Sequence, residues 1–134
     1  MCPSFLADRW VAIVDDDESI RRALARLLRA HGIESRTFPS AKEYLALGST
    51  AAPACIIVDL HLRDGMNGFE LSECLRARGA SPPLIFITGQ DEQELGFLRA
   101  GAPDSTVLRK PFDATLLLGL VNRNVREAHD RVAR

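Results

Sequence analysis

The chain alternates five times between a short apolar run and a segment with helical periodicity. A short buried run followed by a helical segment is typical of a βα unit, in which a helix crosses over between parallel strands. Five such units in series predict an α/β fold built on a parallel sheet. The predicted strands cover residues 10–14, 33–38, 54–58, 84–87 and 106–109.

Five helices are expected, one after each strand. The first has an apolar stripe, and Gly32 follows it as a stop signal. That stripe consists of Ile20, Ala23, Leu24, Leu27 and Leu28. Ser40, Asn67 and Asp113 precede the second, third and fifth helices, and a short fourth helix is expected over 91–100. The apolar positions of the last helix are Leu116, Leu117, Leu120, Val121 and Val125.

Length and composition restrict the class of protein. With 134 residues, 46% of them hydrophobic and 26% charged, the chain is expected to form a single domain over 1–134, with a core from about 10 to 125 and a last helix that extends to about 132. The net charge of −1 supplies no basic field, so direct nucleic-acid binding by this chain is not expected. No apolar stretch approaches the roughly 18 residues of a membrane span, and three cysteines without metal-ligand spacing indicate a reducing compartment. We therefore expect a soluble, cytoplasmic protein.

Chemically useful residues stand where the predicted strands end. Asp15 and Asp16 follow the first strand, and Asp59 follows the third. Thr88 and Lys110 follow the fourth and fifth strands. Right-handed crossovers bring the carboxyl ends of parallel strands to one edge of the sheet, where ligands bind. The five residues are therefore expected to share one site.

The chemistry of this residue set favours a divalent cation and a phosphoryl group. Three carboxylates placed together repel one another unless a cation lies among them, and Mg²⁺ prefers such oxygen ligands. An aspartate can then act as a nucleophile, while a hydroxyl and an ammonium group bind phosphoryl oxygens. Taken singly, each residue also has an ordinary interpretation, such as a solvated acidic turn or a surface lysine. Their occurrence at four of five strand ends favours the site.

At this point the chain resembles the receiver domains of two-component response regulators. The resemblance depends on Asp15-Asp16, Asp59, Thr88-Gly89 and Lys110-Pro111-Phe112, and it covers about 10–125. It implies a flavodoxin-like, doubly wound sheet with strand order 2-1-3-4-5. Residues 13–18 and 40–45 are most similar to receivers that precede LuxR-type DNA-binding domains.

The resemblance also implies roles for individual residues. Asp59 would be the phosphoacceptor, Thr88 the switch hydroxyl, and Lys110 the partner of the phosphoryl group, next to a cis peptide bond to Pro111. The implied Mg²⁺ ligands are Asp15, Asp16, Asp59 and the backbone carbonyl of His61. Mg²⁺ is the implied cofactor. Such a domain is not an enzyme toward other molecules and catalyses only its own phosphorylation and dephosphorylation.

The implied phosphodonor is a sensor histidine kinase or a histidine phosphotransfer protein. The output partner cannot be read from the sequence, and homodimer formation is left open. The arginines of the first helix have two interpretations, a solvated helix face or a kinase-docking surface.

Two positions depart from the family pattern. Arg63 stands where the family has a proline after the phosphoacceptor, and Val107 stands where an aromatic residue is common. Two other functions are alternatives. A pseudo-receiver would keep the fold without phosphorylation, but the complete set of site residues disfavours it. A Mg²⁺-dependent phosphohydrolase would need a second aspartate where His61 stands, and the chain has no P-loop.

Overall fold

The structure is a computed structural model that describes residues 10–47, 52–62, 65–79, 82–89, 106–110 and 113–133, with no description of side chains beyond 128. The strands are β1 (Val11–Val14), β2 (Ser35–Phe38), β3 (Cys55–Asp59), β4 (Leu84–Thr88) and β5 (Thr106–Arg109). The helices are α1 (Glu18–Ala30), α2 (Ala41–Leu45), α3 (Gly68–Ala77) and α4 (Ala114–Ala133). The helix predicted over 91–100 lies outside the described residues. Within the described ranges, no helix has the length and apolar character needed to cross a membrane.

The five strands form one parallel sheet in the order β2-β1-β3-β4-β5. In the register of the sheet, Val14 of β1 lies opposite Phe38 of β2 and Val58 of β3. On the other side, Asp59 lies opposite Ile87 of β4, and Thr88 lies opposite Arg109 of β5. The expected flavodoxin-like order is confirmed, and the strands end together at one edge of the sheet.

Helices cover both faces of the sheet. Val11 and Ile13 pack on one face with residues of α1 and α4, whereas Ala12 and Val14 pack on the other face with residues of α2 and α3. All four residues of β1 are therefore buried. Burial on both faces explains why the central strands are continuous apolar runs rather than alternating ones.

Local hydrogen bonds set the ends of the helices. The Asp17 side chain caps α1 by accepting from two backbone N–H groups. Asn67 and Glu70 form a reciprocal capping box at the start of α3, and Ser40 accepts from the backbone of Glu43 at the start of α2. Gly32 follows the end of α1 and has a φ of 74°, a left-handed conformation that glycine adopts without strain. The predicted starts after Ser40 and Asn67 and the stop at Gly32 are confirmed.

Two residues of the predicted apolar stripes do not face the core. Ala23 is exposed, although Leu24 and Leu28 of the same helix are buried. In α4, Leu116 is 53% exposed, whereas Leu117 is fully buried. Helical periodicity predicts a broad apolar arc, and the rotation of each helix on the sheet decides which residues at the margin of that arc are buried.

Candidate metal and phosphoryl site

Three carboxylates meet at the edge where β1 and β3 end. Asp15 and Asp16 follow β1 directly, and Asp59 is the last residue of β3. Because β1 and β3 are neighbours in the sheet, each of the three residues can offer one carboxylate oxygen within 4.8 Å of the others. The structure thus brings together the three acids that the sequence places at strand ends.

Asp15 is the most deeply placed of these acids. It is only 2% exposed, and its Oδ1 accepts a hydrogen bond of 2.9 Å from the backbone N–H of Asp17. Burial raises the pKa of Asp15 from 3.8 to about 6, against the lowering effect of this hydrogen bond. The negative charges of Asp59 and Asp16 also raise the pKa, and the charge of Lys110 lowers it. A cation among the three acids would remove the repulsion.

The two carboxylate oxygens of Asp59 have different surroundings. Oδ1 accepts a hydrogen bond of 2.9 Å from the backbone N–H of His61. Oδ2 lies 3.9 Å from Nζ of Lys110, in a pair whose side chains are 12% exposed for Asp59 and 37% for Lys110. The backbone N–H of Lys110 donates to the Thr88 carbonyl at 2.7 Å, which ties the end of β5 to the end of β4. One oxygen of Asp59 is thus held by the backbone, while the other faces an ammonium group.

Thr88 is fully buried at the end of β4. Its Oγ1 lies 3.4 Å from Nε2 of His61, within hydrogen-bond distance. Although both residues were singled out from the sequence, this contact between them was not anticipated. They are 27 residues apart, and no local signal in the sequence links them.

Gly68 is a further residue of the site that was missed from the sequence. A Cβ on this residue would lie 2.9 Å from the backbone oxygen of Asp59 and 3.2 Å from Cα of Leu60. The Gly68 N–H donates to the Leu60 carbonyl at 3.3 Å. The first residue of α3 therefore packs directly on the backbone that carries Asp59. A glycine after the Asn67 cap was visible in the sequence, but nothing there indicated what it contacts.

The donor set fits a hard divalent cation. Carboxylate oxygens are the ligands that Mg²⁺ prefers, and the oxygens of Asp15, Asp16 and Asp59 lie within 4.8 Å of one another. His61 approaches the cluster through the hydrogen bond from its N–H to Asp59. The expected cis peptide bond before Pro111 lies outside the described residues. Arg63, which departs from the family pattern, lies outside them as well. Val107 is partly buried and packs against the core layer that contains Phe86.

A parallel five-stranded sheet with an acidic cluster, a threonine and a lysine at its carboxyl edge defines a class of signalling domain. A family model described as the response regulator receiver domain matches residues 11–122. The chain belongs to the response regulator receiver family, as its resemblance to that family led us to expect.

Curated relatives include transcriptional regulators. The C4-dicarboxylate transport transcriptional regulatory protein DctR of Rhodobacter capsulatus is 40% identical over 107 residues, which are 77% of this chain and 53% of DctR. The transcriptional regulatory protein FixJ of Azorhizobium caulinodans is 33% identical over 117 residues, which are 86% of this chain and 54% of FixJ. The chain spans about half the length of these relatives.

Solved structures show the same fold. The response regulator receiver protein from Burkholderia phymatum is 36% identical, with a TM-score of 0.74 over 88% of this chain and 95% of that protein. The response regulator StyR is 32% identical, with a TM-score of 0.80 over 92% of this chain and 62% of StyR.

Proposed function

We propose that this domain accepts a phosphoryl group on Asp59 from a phosphohistidine, in a reaction that requires Mg²⁺. The donor is a sensor histidine kinase or a histidine phosphotransfer protein. The observation that carries the proposal is the arrangement around Asp59, with two further carboxylates beside it and Nζ of Lys110 at 3.9 Å from its Oδ2. This is the residue set that aspartyl phosphorylation needs.

The metal would be held by Asp15, Asp16 and Asp59, together with the backbone carbonyl of His61. When bound, Mg²⁺ would neutralise the acids and stabilise the negative charge of phosphoryl oxygens. Asp15 is prepared for this role because its buried carboxylate is fixed by the Asp17 N–H at 2.9 Å. The side chain therefore loses little conformational freedom on binding an ion.

The Asp59 carboxylate acts as the nucleophile. Because Oδ1 is engaged with the His61 N–H, Oδ2 is the oxygen that attacks phosphorus. The phosphorus–nitrogen bond of the donor breaks as the new phosphorus–oxygen bond forms, and the imidazole nitrogen keeps the electron pair. Lys110 then pairs with a phosphoryl oxygen instead of with Asp59, and the Thr88 hydroxyl turns from His61 to donate to another.

The reorientation of Thr88 links phosphorylation to the surface of the domain. Thr88 ends β4, and its carbonyl holds the backbone of Lys110, so a change at its side chain affects the ends of two strands. A ligand shifts a conformational equilibrium only through different contacts in the two states, and Thr88 and Lys110 would make those contacts. The phosphorylated domain would act by binding another protein or domain. Because DctR and FixJ are transcriptional regulatory proteins, we propose that this interaction regulates transcription.

Intact-mass analysis after incubation with acetyl phosphate and Mg²⁺ tests the proposal. Wild type should gain one phosphoryl group, which is lost on mild base treatment, because acyl phosphates hydrolyse readily. Asp59→Asn should gain none, whereas Glu73→Gln, on the exposed surface of α3, should be labelled like wild type. Equal labelling of Asp59→Asn and wild type would contradict the assignment. Absence of labelling in wild type, with the kinase as well as with acetyl phosphate, would favour the pseudo-receiver alternative.

A further inference from the structure

A basic groove lies between α1 and the start of β2. Its volume is about 630 Å³, within the range of ligand-binding clefts. It is lined by Arg22, Ala25, Arg26, Arg29, Gly32, Ile33, Glu34 and Ser35. Gly32, Ile33 and Glu34 of this lining belong to the turn from α1 into β2.

Three arginines form one wall of the groove. Arg22, Arg26 and Arg29 are exposed and follow one another at helical spacing, so they lie in a row along one side of α1. No ion pair or hydrogen bond joins their guanidinium groups to another described residue. Glu34 is the one acid among the lining residues. The groove therefore carries a net positive charge that is not neutralised within the described structure.

The other wall of the groove includes Ser35, the first residue of β2. Within the described residues, β2 pairs only with β1. The carbonyls of Glu34 and Phe38 accept hydrogen bonds from Val11 and Asp15 and so point toward β1. Because backbone groups alternate in direction along a strand, those of Ser35 and Thr37 point away from the sheet. This edge offers hydrogen bonds to a further extended strand.

We propose that this groove binds an extended acidic segment of a partner protein, which pairs with the outer edge of β2 and places carboxylates against the arginines of α1. The spacing supports this occupant. Arg22 and Arg26 are about 6 Å apart along the helix axis, and alternate residues of a strand are about 6.6–6.8 Å apart. Acidic side chains at every second position can therefore each reach one guanidinium group.

A short acidic peptide fits the charge better than nucleic acid does. The row of arginines is only about 10 Å long, and the chain as a whole has a net charge of −1. A long polyanion would meet the negative remainder of the surface, whereas a short segment contacts the groove alone.

None of the residues that line the groove belongs to the site around Asp59. The inference is therefore independent of the proposed function. Asp59→Asn should bind the acidic peptide with unchanged affinity, even if that variant accepts no phosphoryl group. Binding lost in Asp59→Asn would contradict the location of the site.

Fluorescence anisotropy with labelled peptides tests the inference on the whole chain. The probe is a peptide of about ten residues in which Glu and Thr alternate, and the control peptide has Gln in place of Glu. We expect the Glu peptide to bind at least about tenfold more tightly than the Gln peptide at low salt. Arg26→Gln/Arg29→Gln should weaken binding about tenfold, while Arg78→Gln/Arg126→Gln, which loses the same charge outside the groove, should bind like wild type. Equal affinity of the two double variants would overturn the proposal.

Two further probes separate strand pairing from simple charge attraction. In a strand paired with β2, the backbone N–H groups of every second peptide residue face β2 and the others point away from it. N-methylation of the residues that face β2 should abolish binding, whereas N-methylation of the residues between them should not. Equal effects of the two methylated peptides would overturn strand pairing. A single-stranded oligonucleotide of the same charge should compete poorly, and competition as strong as that of the Glu peptide would identify a general polyanion site instead.

Discussion

At the scale of single residues, Asp15 shows how burial sets the chemistry of the site. Its carboxylate is almost completely removed from water, and its two nearest acids are also negative. The result is a pKa raised to about 6, so the fold holds an ionised Asp15 at neutral pH at a cost in stability. Such a cost is expected where a residue is retained to bind a cation rather than to stabilise the fold.

The loss of folding stability caused by the ionised Asp15 carboxylate can be measured by comparing metal-free wild type with Asp15→Asn. A folded-state pKa raised above the unfolded value of 3.8 favours the fold at low pH, and that contribution is lost as the pH rises through about 6. With EDTA present at pH 7.5, Asp15→Asn should therefore be more stable than wild type by about 1–3 kcal/mol in urea unfolding. The difference should shrink as the pH falls below 6. A variant less stable than wild type at both pH values would show that the carboxylate stabilises the metal-free fold.

At the scale of elements, the site depends on how α3 begins as well as on where strands end. The Asn67 capping box starts α3 at Gly68, and Gly68 lies against the backbone of Asp59 and Leu60. The close approach holds the Asp59 backbone between β4 on one side and a helix on the other. The N-terminus of α3 therefore helps to position Asp59, the proposed phosphoacceptor.

Gly68→Ala should destabilise the protein and reduce labelling of Asp59. The new Cβ would lie 2.9 Å from a backbone oxygen, so α3 or the Asp59 backbone must shift. We expect a loss of about 1–3 kcal/mol in urea unfolding. Gly119→Ala is the matched control, since it lies in exposed helix surface with no atom within 4 Å of the new Cβ. It should gain about 0.5–1 kcal/mol from helix propensity. Similar gains in both variants would contradict the packing role of Gly68.

At the scale of the whole molecule, an acidic cluster and a row of arginines occupy separate places on one sheet. The acidic cluster lies at the carboxyl ends of the strands, and the arginine groove lies beside the start of β2. The sheet between them is buried by helices on both faces and has a rigid, closely packed core. Under the two proposals, the acidic cluster and the groove would each serve a separate partner.

Mg²⁺ should stabilise the whole domain, because a ligand that binds only the folded state raises its stability by mass action. Millimolar MgCl₂ should raise the melting temperature of wild type by roughly 3–5 °C relative to NaCl of equal ionic strength. Asp16→Ala should lose most of this increase, whatever its melting temperature without metal. Equal increases in wild type and Asp16→Ala would exclude the acidic cluster as the ion's site.

The fold class and the identity of the site residues could be predicted from the sequence for a physical reason. Strand and helix periods are local properties, and the handedness of βα units forces strand ends to one edge. Asp15, Asp16, Asp59, Thr88 and Lys110 could be grouped by this rule without knowledge of any distance.

Only the tertiary structure decided how those residues interact. The approach of His61 to Thr88, the contact of Gly68 with Asp59 and the raised pKa of Asp15 arise between segments distant in sequence. The exposure of Leu116, which lies in the predicted apolar stripe of its helix, was also decided by the tertiary structure. Periodicity determines that a helix has an apolar face, but burial, close approach and electrostatic interaction depend on how that face is rotated against the sheet. Those quantities are properties of packing, and no local pattern specifies them.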